Sequence, residues 1–76
     1  MTPDVKPGEF WVIQDPDDSS KRRCVLITQR EVGQSLVGLF TRRACHLYHE
    51  VRTFPYELTI REALDEEVAK FWNGVY

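Results

Sequence analysis

The chain has 76 residues, 42% of them apolar and 29% charged, with a formal net charge of −2. That is enough for one domain and too little for two, too apolar for disorder, and too near neutrality to gather nucleic acid or an acidic membrane by its overall field. Two cysteines, Cys24 and Cys45, fall short of a disulfide framework, and no apolar run is long enough to span a bilayer. Met1-Thr2-Pro3-Asp4 lacks the basic and then apolar pattern of a signal peptide, so the expected location is cytoplasmic, with reduced thiols.

Residues 1–8, with Pro3, Pro7 and Gly8, read as an extended arm ending in a turn. The β-rich part is expected over residues 9–54. Glu9 to Gln14 is an aromatic and β-branched strand, followed by the polar turn Asp15-Pro16-Asp17-Asp18-Ser19-Ser20. Arg22 to Gln29 is the clearest strand, with Val25, Leu26 and Ile27 at its centre, and Arg30 to Gln34 makes a turn around Gly33.

Leu36 to Thr41 and His46 to Phe54 read as a third and fourth strand. Leu36, Phe40, Ala44, Leu47, Tyr48 and Val51 also recur at helical spacing, but Gly38 costs a helix about 1 kcal/mol relative to Ala. Thr59-x-x-Glu62 has the form of a capping box. It predicts a helix over residues 59–73, with Ile60, Ala63, Leu64, Val68, Phe71, Trp72 and Val75 on one face and Gly74 as the left-handed stop. The fold class expected is α+β, a twisted antiparallel sheet of about four strands with a C-terminal amphipathic helix.

Cys45, His46 and His49 are the residues to weigh as metal ligands. In a strand, positions 45 and 49 lie about 13 Å apart, and no Cys-x2–4-Cys pair is present to start a zinc site. No metal or other cofactor is therefore expected. Gly-x-Ser-x-Gly, Gly-rich phosphate loops and His-Glu-x-x-His are absent, which argues against a standard hydrolase or nucleotide enzyme.

Pro7-Gly8-Glu9-Phe10-Trp11-Val12-Ile13, a polar loop, and Arg23-Cys24-Val25-Leu26-Ile27 are followed by Gln29-x-x-Val32-Gly33 and Leu36-Val37-Gly38-Leu39-Phe40-Thr41. This succession over residues 7–41 resembles the opening of the MazF/PemK toxin family. The resemblance implies a small curved, partial SH3-like barrel. It also implies RNA cleavage in which Arg23 would stabilise phosphoryl charge and Thr41 would orient the group. Cys24 stands where that family has Pro, and the chain is some 35 residues shorter than the resemblance calls for.

Two other readings come from the residues alone. Lys21, Arg22 and Arg23 with Arg42, Arg43 and Trp11 could form a basic, aromatic strip for single-stranded nucleic acid. Against it, Asp15, Asp17 and Asp18 adjoin the same edge. The reading preferred is a small non-enzymatic protein-binding module, of the kind in which phages and mobile elements carry stoichiometric inhibitors of nucleic-acid-processing complexes (anti-CRISPR or anti-restriction proteins). Acidic side chains such as Asp17, Asp18 and Glu66 would engage basic channels, and Tyr48, Arg52 and Tyr56, with His46, would serve as anchors. The oligomeric state stays open, a homodimer included.

Overall fold

A computed structural model describes residues 4–31, 33, 35–43 and 47–74. Five strands and one helix follow in chain order: β1 (Phe10–Gln14), β2 (Arg22–Arg30), β3 (Ser35–Arg43), β4 (Leu47–Pro55), a 3-10 turn (Tyr56–Leu58), β5 (Thr59–Glu62) and α1 (Asp65–Asn73). The strands form one antiparallel sheet in the order β4-β3-β2-β1-β5, with β4 and β5 at its open edges. Among the described residues no helix is long and apolar enough to cross a membrane.

Alternation along the strands divides the side chains between two faces. One face carries Trp11, Ile13, Val25, Ile27, Leu36, Phe40 and Phe54, joined by Val5 and Tyr56 in a single buried cluster. Among the described residues no second sheet covers this face, so the sheet must curl around it. Register shifts at Val12/Ile13 and Ile27/Gln29 mark irregularities of the kind that add bend and twist. The arm closes the cluster from one end. Val5 is buried, the Gly8 N–H donates to the Ile27 carbonyl at 2.7 Å, and Arg30 reaches both Asp4 and the Val5 carbonyl.

The opposite face holds Phe10, Val12, Cys24, Leu26, Leu39, Thr41, His49 and Val51, and α1 packs on it. A nine-residue helix is marginal by itself and depends on this packing. Phe71 supplies it, fully buried with its ring 5.3 Å from Phe10 and 5.4 Å from His49.

The helix expected over residues 59–73 is shorter, and its first turn is a strand. Val12 and Ile13 are buried in β1, so their outward backbone groups need partners, and residues 59–62 supply them. The Thr59 hydroxyl donates to the Tyr56 carbonyl at 2.8 Å and caps no helix. The carboxylate half of such a box sits five residues later, where the cap residue Leu64 has no side-chain acceptor to return the bond. Glu67 accepts the Leu64 N–H at 2.9 Å, and it takes a two-point contact from Arg61 at 2.6 and 2.9 Å. Gly74 ends the helix at φ 69°, as expected.

The sheet therefore has five strands where about four were expected. Residues 36–43 and 47–55 are strands, which removes the helical alternative, and residues 44–46 lie outside those described.

Candidate functional site

Most of the charged side chains singled out in the sequence meet one another. Asp15 follows β1 directly, and its side chain is 4% exposed. Its Oδ1 accepts the Asp17 N–H at 2.8 Å, which shapes the loop, and its Oδ2 accepts Arg23 Nε at 2.6 Å. Burial pushes this carboxyl up. The hydrogen bonds from Arg23 and the Asp17 N–H, with the Arg23 charge, outweigh it and hold the carboxyl below its ordinary value.

Asp17 projects from the same loop toward β3 and β4. It receives Arg52 at 2.8 and 3.2 Å and Arg42 at 3.4 Å, while Arg42 Nε donates to Glu50 at 2.9 Å. The hydrogen bond from Arg52 is the main cause of the lowered Asp17 value, and Glu50 the main cause of the raised Arg42 value. Arg52 also lies over the Phe40 ring, 5.4 Å from its centroid. These ionic contacts lie at one end of the curled core face.

Asp18 accepts Ser20 and lies 3.9 Å from Lys21, an exposed pair worth little. Arg22 is exposed at the start of β2, and Arg43 lies at the end of β3 in register with Leu47. Tyr48 is exposed, and Glu66 is exposed in the first turn of α1. Tyr56 is buried in the core beneath Arg30, 4.9 Å from ring centroid to guanidinium carbon.

Arg23 and Thr41 are neighbours whose side chains diverge. Arg23 reaches the Thr41 backbone carbonyl at 3.4 Å, but its guanidinium stays with Asp15 on the core face. The Thr41 hydroxyl lies on the other face, donating to the Phe71 carbonyl at 3.1 Å and 3.4 Å from His49 Nδ1. In this arrangement the two do not converge on one phosphoryl group.

Cys45 and His46 lie outside the described residues. Among the described ones, no group of three His, Cys, Asp or Glu is placed to hold a metal ion, and Cys24 is buried.

One further feature stands out on the helix-bearing face. Phe10 is in register with Leu26, Leu26 with Leu39, and Leu39 with Val51. Four apolar side chains thus form one continuous row across four strands, about 14 Å along the sheet at ordinary strand spacing. The row emerges from half-buried Phe10, Leu26 and Leu39 to Val51, which is 64% exposed. The next row, with Val12 and Cys24, is buried. Trp72, 52% exposed, lies 5.9 Å from both Phe10 and His49 beside the open row. The signal for this row is in the sequence only as strand alternation, and it needs the pairing register to be seen.

No protein-family model matches the chain, and neither a curated protein nor a solved structure matches it.

Proposed function

We propose that this chain is a non-enzymatic protein-binding module that uses the helix-bearing face of its sheet. The observation that carries this is the in-register row Phe10–Leu26–Leu39–Val51 with Trp72 beside it, apolar and open toward β4. A contiguous apolar strip on a small domain is the usual mark of an interaction surface, and an aromatic anchor such as Trp72 is the residue type that dominates binding energy.

The class of partner we infer is a protein of a nucleic-acid-handling complex, for which the chain would act as a stoichiometric inhibitor. Asp65 and Glu66, exposed in the first turn of α1, offer acidic charge to a Lys/Arg-rich surface. The basic side chains Arg23, Arg42 and Arg52 are occupied by internal carboxylates, which disfavours phosphate as the principal ligand. A partial, SH3-like barrel is our reading of the curled sheet, supported by a core face buried without a second layer.

The test is capture from a nuclease-treated host lysate by the tagged chain, in parallel with Val51→Asp, Trp72→Ala and Glu66→Lys. One protein retained in stoichiometric amount by the parent and lost with Val51→Asp or Trp72→Ala supports the reading. Retention of RNA alone, or cleavage of bare RNA abolished by Arg23→Ala, would replace it with a nucleic-acid function.

A further inference from the structure

We propose that two copies of this chain pair through their β4 strands, joining two five-stranded sheets into one ten-stranded antiparallel sheet. Among the described residues no strand pairs with the outer edge of β4, which is nine residues long and carries no Lys. The other edge, β5, has only four residues, and a short edge strand is one way in which sheets blunt an edge.

The sequence of β4 is self-complementary about its centre. An antiparallel two-fold pairing centred on Val51 sets Val51 against Val51 of the second copy. Glu50 then faces Arg52 of that copy, and Arg52 faces its Glu50, so each cross-pair extends an internal one, Arg42 with Glu50 and Asp17 with Arg52. Further out, His49 meets Thr53 and Tyr48 meets Phe54. Opposite charges directly across an antiparallel pair stabilise it, and like charges would oppose it. Shifting the register by two residues destroys both charge pairs, so the charges select this register as well as permit it.

The faces also agree. Val51 is the exposed end of the apolar row, and the two-fold axis joins that row to its mirror, Phe10–Leu26–Leu39–Val51 running into Val51–Leu39–Leu26–Phe10 of the second copy. An isologous interface needs a patch that complements itself, and this edge does so in backbone polarity, charge and apolar content together. Pro55, which has no N–H to donate, bounds the ladder at its end.

The experiment uses the chain by itself, so its outcome is independent of any heterologous partner. In the two-fold register, the Cα atoms of residue 51 in the two copies lie about 4.5–5.5 Å apart, within disulfide range. Those of residue 53 lie about 13 Å apart. Val51→Cys should therefore give an intermolecular disulfide dimer under mild oxidation, while Thr53→Cys, equally on the exposed side of β4, should not. Both variants are made with Cys45→Ser to remove the other candidate thiol. Sedimentation of the parent should show a monomer–dimer equilibrium, with Val51→Lys raising the dissociation constant at least about tenfold and leaving the circular dichroism unchanged. A parent that stays monomeric at its highest soluble concentration, or equal cross-linking at positions 51 and 53, overturns the proposal.

Discussion

Arg23 Nε and Asp15 Oδ2 meet at 2.6 Å where the rim of the core face passes beneath the β1–β2 loop. Asp15 is nearly inaccessible, while 21% of the Arg23 side chain is still exposed, so the pair is only partly desolvated. Removing one partner is the damaging change, because it strands the other charge. Asp15→Ala also removes the acceptor that holds the Asp17 N–H. We expect it to cost about 2–4 kcal/mol, read as a lower urea midpoint with an unchanged slope. A double-mutant cycle with Arg23→Ala should show strong coupling.

The same carboxylates make stability depend on acid. Asp15, Asp17, Asp18 and Glu67 all sit below their ordinary values in the folded chain. The unfolded chain therefore binds more protons than the folded one as the pH falls, so their contribution is present above the unfolded carboxylate range, about pH 4, and is lost below it. The melting temperature should be flat near neutrality and fall as the pH drops through and below about 4. A flat profile into that range would show that these ion pairs add nothing to stability.

Gly38 sits opposite Arg52 on β4, and a Cβ built there would lie 2.9 Å from the Phe54 ring. That ring is buried and set edge-on to Phe40 at 5.7 Å, so it has little room to retreat. Gly38→Ala is expected to destabilise by about 1–3 kcal/mol through overpacking, although Ala is the better residue for an ordinary strand. Thermal melts of the two proteins check this.

Phe71 is the fully buried contact of α1. Phe71→Ala should cost about 3–5 kcal/mol where the rest of the site cannot collapse. The loss should be uneven. Hydrogen exchange over residues 65–73 is expected to rise well before exchange at the centre of β2, because the strand ladder does not depend on that ring.

Thr41→Val separates two roles for the hydroxyl. As a buried donor to the Phe71 carbonyl, its removal should cost about 1 kcal/mol and leave partner binding intact. A complete loss of function from a folded Thr41→Val protein would instead assign the hydroxyl to chemistry.

Much of the sheet was legible along the chain. The β-branched and aromatic runs around Trp11 and Val25, the polar turn at residues 15–20 and the stop at Gly74 are local signals that no tertiary demand opposes here. The helix start misled because Thr59 and Glu62 satisfy the spacing of a capping box, while the unpaired edge of β1 made a stronger demand on the same residues. Gly38 looked like a mere argument against a helix, and its reason is the Phe54 ring from another strand. The acidic loop and the basic clusters were visible as charges, but that Asp17 holds Arg42 and Arg52, 25 and 35 residues away, is a matter of how the sheet curls. Composition and periodicity thus determined that this chain is a small α+β domain with a C-terminal helix. Only the tertiary structure decided which charges neutralise one another and which apolar side chains line up in the open, because both depend on strand register, and register is set by contacts between residues far apart in sequence.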